Sequence, residues 1–227
     1  LAGSRLKSLN KCPSPLLRNT TSTVCVKSTQ SGFRLMKQVH FATTNKGKVN
    51  SLSRALAPFG IEIIHENIEL PEPRSDDLRE IAAQKALAAF QKIQKPVIAQ
   101  DAGFYISALN GFPGTFVNFA LQTIGIEGIL KLVEGKPREC EFRNALAYYD
   151  GKQQEALVFE SNIEGILADS PRGVHPPHAW SQLSVIFVPK GKNKTQAEAS
   201  EEEYQEWIRE VHQDSYASKF AEWFMRQ

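Results

Sequence analysis

Residues 39–48 read Val-His-Phe-Ala-Thr-Thr-Asn-Lys-Gly-Lys, an apolar run that passes directly into a polar, cationic turn. Helical periodicity follows, with Val49, Leu52 and Leu56 on one face and Pro58 and Gly60 closing the segment. A strand feeding a helix through so short a turn is the unit from which open α/β sheets are built. The helix start offers free backbone N–H groups and the positive end of the dipole, which together favour an anion. Asn45 adds an amide donor, and Lys46 and Lys48 add full charge. The turn suits phosphate, although a Lys/Asn-rich turn can also be no more than a solvated loop.

Carboxylates recur at chain positions that could face this turn. Glu72 lies between Pro71 and Pro73, where the backbone has little freedom, and a rigid carboxylate suits metal binding. Residues 96–103 read as a short apolar strand buried on both faces, with Asp101 expected at its carboxyl end. Ligands of open α/β sheets bind at that end, and Gly103 permits a close approach of backbone or ligand. Asp101 could alternatively do no more than cap a turn. Between these acids runs a helix with Asp77 as N-cap and Glu80 at capping-box spacing, followed by Leu78, Ile81, Ala82, Ala86, Ala89, Phe90 and Ile93. Lys85 falls on that apolar stripe, so its ammonium needs either an anion or a path along the helix to water.

Taken in order, these segments resemble a known family. Thr43-Thr44-Asn45-Lys46-Gly47-Lys48 is similar to the Thr-Gly-Asn-x-x-Lys signature of the inosine triphosphate pyrophosphatases, and Leu70-Pro71-Glu72, Gln84-Lys85, Asp101 and Leu109-Asn110-Gly111-Phe112-Pro113-Gly114 follow in the family's sequence. The resemblance runs from about residue 38 to 227 and is strongest to about 135. It implies Mg²⁺-dependent hydrolysis of a nucleoside triphosphate to the monophosphate and pyrophosphate, a preference for deaminated purines, and a homodimer. On this reading Glu72 and Asp101 hold the metal, and Asp101 is also the base. Lys48 and Lys85 neutralise the leaving pyrophosphate, while Thr43 and Asn45 hydrogen-bond phosphate oxygens.

The departures bear on specificity. Thr44 stands where the family has glycine, Gln100 precedes Asp101 where many members carry a second acid, and Asn118 stands where a basic residue is common. The aromatic-Gly-aromatic-Asp-Pro segment is replaced by His178-Ala179-Trp180-Ser181-Gln182-Leu183-Ser184, ahead of an expected strand at 185–189. The Ser-His-Arg signature that reads the purine 6-keto group becomes Ala217-Ser218-Lys219. A pocket without those donors cannot strongly reject other bases, so hydrolysis of ordinary triphosphates is expected. Trp180 could stack on a base or simply pack, and Lys219 keeps the one cation of the lost signature.

With 227 residues, 41% of them apolar and 23% charged, the chain can bury a sizeable core, and no run is apolar enough to cross a membrane. The net charge of +2 hides an uneven distribution, because residues 1–61 contain no Asp or Glu. Residues 1–34 are basic, rich in Ser and Thr, and aperiodic, which reads as a flexible leader able to contact RNA or as an organelle transit peptide, with residues 35–227 forming the catalytic domain. Cys12, Cys25 and Cys140 are too scattered for a disulfide scaffold or a zinc site, which suits a reducing, cytoplasmic compartment. The first residue Leu1 and the last residue Gln227 suit excision from a polyprotein at Gln-ending junctions, or equally an arbitrary cut. Members of the family carried in plant RNA virus polyproteins are similar in this respect, which would make the compartment the host cytoplasm.

In the second half, strands are expected at 140–149 and 156–167 around Asp150-Gly151, forming a paired sheet arm. An acidic helix at 200–209 and a closing helix follow, the latter with Tyr216, Phe220, Trp223 and Phe224 on one stripe that suits core or dimer packing. The expected fold is α/β, a twisted mixed sheet with surrounding helices in two lobes that enclose a nucleotide cleft. A function of another class also fits, namely a degenerate nucleotide- or RNA-binding protein that uses the leader for phosphates and aromatic faces for stacking. Two acids facing the phosphate turn argue against it.

Overall fold

The computed structural model describes residues 36–176 and 181–227. The leader and Trp180 therefore lie outside the described residues. Strand β1 (Lys37–Ala42) leads through the cationic turn into helix α1 (Lys46–Leu56), then come β2 (Ile61–Glu66), α2 (Leu78–Ile93), β3 (Val97–Ile106), β4 (Pro113–Gly114), α3 (Val117–Thr123) and α4 (Gly125–Leu132). The chain continues with β5 (Glu139–Tyr149), β6 (Leu157–Leu167), β7 (Phe187–Pro189), α5 (Glu201–His212) and α6 (Tyr216–Met225). The seven strands form one mixed sheet in the order β2-β1-β3-β5-β6-β7, with the short β4 paired to β3. The first three strands of that order are parallel, and the rest pair antiparallel.

Two apolar clusters give the molecule its lobes. In one, Leu52, Leu56, Phe220 and Phe224 of α1 and α6 cover Val39, Phe41, Ile98 and Leu146 of the sheet. In the other, Val117 and Ile129 of α3 and α4 meet Phe104, Phe142 and Phe187 at the far end of the long strands. On the opposite face of the sheet Ala82 and Ala86 of α2 pack closely on Ala99, Ala145 and Ala147, small residues that let the helix lie near the strands. The closing aromatic stripe is core, as Phe220 is fully buried and stacks on Phe224 with centroids 5.2 Å apart.

Three expectations need correction. Asp101 is the fifth residue of a ten-residue strand rather than its end, because β5 continues to pair with β3 from Val97 to Ile106. The 140–149 and 156–167 strands do pair with each other, but as the fourth and fifth strands of the main sheet rather than as a separate arm, since β3 offers β5 a full edge. The segment at 185–189 gives a strand of only three residues, because a tight turn over Gln182–Val185, capped by Ser181, takes up its beginning.

Candidate functional site

Strand β1 pairs with β3 only as far as Phe41 and Ile98, and β4 joins the same edge only from Phe104. Between these limits the edge of β3 at residues 99–103 faces a slot, with the start of α1 on one side and the middle of α2 on the other. Asp101 thus lies just beyond the carboxyl end of the parallel part of the sheet. The expected position beyond a strand end is met only with respect to the parallel pairing, which stops at Ile98, and not with respect to β3 itself.

Each element delivers one group to the slot. Asn45 is the N-cap of α1, its Oδ1 accepting from the Lys48 backbone N–H at 3.1 Å, and Thr43 Oγ1 accepts from the Asn45 N–H at 3.1 Å. Thr44 causes no strain there, since Gln94 and Asn110 are the only described non-glycine residues with positive φ. Lys48 turns its side chain inward to donate from Nζ to the Gln100 carbonyl at 3.3 Å, supplying a donor where β1 has ended. Burial pushes its pKa below the ordinary lysine value, against the pull of Asp101.

Lys85 is buried on the inner face of α2 and has found its anion. Its Nζ lies 2.8 Å from Asp101 Oδ1 and 2.7 Å from Glu72 Oε2. Burial opposes the charge on this ammonium, but Asp101 and then Glu72 outweigh it and hold the pKa above the ordinary range. Asp101 Oδ1 is shared, for Lys48 Nζ lies 3.9 Å away on its other side. Glu72 arrives from the loop before α2 and remains largely exposed. Asp77 caps α2 as expected by accepting from the Arg79 N–H at 2.8 Å, but the capping box does not close, because Glu80 takes the Ser75 hydroxyl and the Gln84 amide instead.

Glu72 and Asp101 are hard oxygen donors converging on one cation, the type of donor set that fits Mg²⁺ held jointly with substrate phosphate. Among the described residues no cluster of three or more His, Cys, Asp or Glu forms a complete cage. The chemistry available is therefore anion binding, charge neutralisation and proton acceptance in one slot. A cleft of about 730 Å³, lined by Asp77, Tyr105, Arg143, Glu160, Asn162 and Lys219 among others, lies on the Tyr105 side of the sheet.

Comparison with known proteins decides the family. Residues 39–209 match the family model described as Ham1 family. The chain belongs to the Ham1 family. A Ham1 relative from Methanopyrus kandleri, a dITP/XTP pyrophosphatase, is 38% identical over 188 residues that cover 82% of this chain and 96% of the relative. The dITP/XTP pyrophosphatase of Thermococcus kodakarensis is 34% identical over 184 residues, 81% of this chain and 95% of the relative. The solved HAM1 structure from Coxiella burnetii shares the fold with a TM-score of 0.69 at 21% identity, covering 85% of this chain and all of that one.

Within this Ham1 fold, Thr43, Asn45, Lys48, Glu72, Lys85 and Asp101 come together as the sequence predicts. Lys219 does not join them: it donates to the Glu160 carbonyl at 3.1 Å and pairs with Asp214 at 3.2 Å, on the rim of the larger cleft. Sequence reasoning missed a second group of polar residues. Gln100 Nε2 donates to Tyr216 Oη at 2.9 Å, beside Asn144 and Ser161. Gln100 was visible only as a missing acid, and Tyr216 only as one member of an apolar stripe.

Proposed function

We propose that the slot hydrolyses nucleoside triphosphates between the α- and β-phosphates with Mg²⁺ as metal, removing deaminated purine nucleotides and, with relaxed selectivity, standard ones. The single observation that supports this most is Asp101 Oδ1 set between Lys85 and Lys48 beside an N-capped phosphate turn. Asp101 accepts a proton from water, the water oxygen bonds to the α-phosphorus, and the bond to the bridging oxygen breaks so that its electron pair leaves with pyrophosphate. Lys48 and Lys85 hold the charge that develops on that leaving group. Glu72 and Asp101 would hold Mg²⁺, which would supply charge neutralisation on phosphate oxygens and a more acidic water.

Relaxed base selectivity has its support in the start of α6. Ser218 Oγ donates back to the Ser215 carbonyl at 2.9 Å, and Ala217 is buried, so neither presents a donor to a 6-keto oxygen. Lys219 could still reach a phosphate or base from the cleft rim, and Trp180 could stack on a base. Assembly as a homodimer belongs to the same reading, supported by the exposed Phe112, Phe116 and Phe119, and sedimentation tests it.

The test is pyrophosphate release with Mg²⁺ from inosine, xanthosine and standard ribo- and deoxyribonucleoside triphosphates, with Asp101→Asn as control. Turnover that depends on Asp101 supports the hydrolase. A strong preference for inosine triphosphate over every standard nucleotide refutes the relaxed selectivity, and no turnover at all leaves a binding protein.

A further inference from the structure

On the nucleotide reading of the slot, we propose that His65 is a positioning residue for the phosphate turn: it holds the Thr43 carbonyl, and through it the Asn45 cap that presents the start of α1 to phosphate. Strand β2 pairs with β1 as far as Glu66, and beyond that pair the Thr43 N–H donates to the Glu66 carbonyl at 3.1 Å. By the same slanted pattern the next rung of a parallel ladder would bring the Ile68 N–H to the Thr43 carbonyl. Ile68 instead turns back and donates to the Glu66 carbonyl at 2.9 Å, as the chain leaves the sheet to carry Glu72 towards Lys85. The ladder therefore stops one bond short, at the residue that opens the turn.

His65 supplies the donor that the backbone withdraws. Its Nε2 lies 2.9 Å from the Thr43 carbonyl oxygen, and because a carbonyl only accepts, Nε2 carries the hydrogen. The ring can reach this oxygen because His65 is level with Phe41 in the register and shares the sheet face that α1 covers. Glu66, the next residue, points to the opposite face and meets His40 Nδ1 at 2.6 Å. The end of β2 is thus tied to β1 from both faces, which gives Thr43 a fixed anchor.

The turn has little else to hold it. Thr44, Asn45 and Lys46 are exposed, so packing contributes little to their placement. Thr43 Oγ1 accepts from the Asn45 N–H and Asn45 Oδ1 from the Lys48 N–H, both at 3.1 Å. A displacement of Thr43 passes through these two bonds to the free N–H groups at the start of α1, the groups that face an anion. His65 is itself exposed, so its replacement removes the anchor and leaves the core intact.

The experiment compares His65→Ala and His65→Gln with the wild type in the full chain, by calorimetric binding of inorganic pyrophosphate with Mg²⁺ and by kcat and KM for inosine triphosphate. Gln keeps an uncharged N–H donor at a similar reach. His65→Ala is expected to weaken pyrophosphate binding about threefold to tenfold, the range one hydrogen bond supplies, and to raise KM while kcat stays within about twofold. His65→Gln is expected to restore both. The Ala loss is expected to shrink when Asn45→Ala is already present, because the two residues act through one turn. A merely structural role would lower the folded fraction, and kcat with it, at unchanged affinity. Unchanged pyrophosphate binding by the Ala variant, a Gln variant as weak as Ala, or a wild type that binds no pyrophosphate overturns the proposal. Binding without turnover would count against the hydrolysis alone, and the proposal would still be decided by the binding of the two variants.

Discussion

Lys85 Nζ donates to Asp101 Oδ1 across 2.8 Å, a bond that ties the middle of α2 to the middle of β3. It fixes the carboxylate from one side and leaves its second oxygen for chemistry. Asp101→Asn keeps the shape and an acceptor for Lys85, but an amide cannot take a proton from water. Pyrophosphate release is expected to fall by roughly 10²-fold or more. Circular dichroism is expected to stay native, with unfolding free energy reduced by about 1–3 kcal/mol for the weakened partner of a largely buried ammonium. Near-full turnover in this variant removes Asp101 from the mechanism.

The two lysines of the slot should differ in what they do for stability. The raised pKa of Lys85 means that the folded state holds its proton more tightly than the unfolded chain does. Its stabilisation is fully present below the ordinary value of 10.5 and is lost as pH rises through the raised one. Lys48 has the opposite sign: its lowered pKa makes its charge a cost to the fold that fades as pH climbs from the lowered value towards 10.5. Lys85→Met is therefore expected to destabilise at pH 7, and Lys48→Met to cost little or nothing. Both should lose about 10²-fold in rate. Urea unfolding of the two variants at pH 7 and pH 10 checks the contrast, with the Lys85 loss the same at both pH values, and destabilisation of equal size in the two variants at pH 7 contradicts it.

Metal and nucleotide are expected to bind together. Glu72 and Asp101 each already share an oxygen with Lys85, so two acids held by a cation give Mg²⁺ a weak site until substrate phosphates add theirs. Adding Mg²⁺ alone should leave the unfolding temperature almost unchanged. Mg²⁺ with a nucleotide should raise it as the mass-action law requires for a ligand that binds only the folded state. A large shift with Mg²⁺ alone would reveal a complete metal site in the protein itself.

The α1 side of the slot was legible because its parts are local. A strand, a cap and a lysine three residues later are one short segment, and Lys85 stood out as a charge on an apolar stripe. Glu72 and Asp101 followed from proline rigidity and a sheet rule, although the rule misjudged where β3 ends, since the length of a strand depends on its partner. The Gln100–Tyr216 bond joins residues 116 positions apart, and no periodicity signals it. The capping box at Asp77 failed for a similar reason, because Ser75 competes for Glu80 through a bend the pattern does not show. The base side of the pocket was read chiefly through motifs that are absent, and an absent motif says what is lost without saying what replaces it.

Gly103 tests how tightly the far end of the slot is built. Two residues beyond Asp101, it lies where β4 crosses the edge of β3, and a Cβ there would sit 2.8 Å from the Tyr105 ring and 2.9 Å from the Gly114 carbonyl. The Tyr105 ring can tilt, but it carries the Arg143 guanidinium 4.1 Å from its centroid, and the Gly114 oxygen is backbone. Glycine is needed here for the approach of protein backbone rather than of ligand. Gly103→Ala is expected to push β4 outward, to cost about 1–3 kcal/mol of stability as overpacking does, and to lower turnover more than nucleotide binding, because Asp101 shifts while Lys48 and the α1 turn do not. Urea unfolding together with separate kcat and KM values checks this. A variant as stable and active as the wild type would mean that β4 is free to move, and that the slot is closed at that end by something other than this contact.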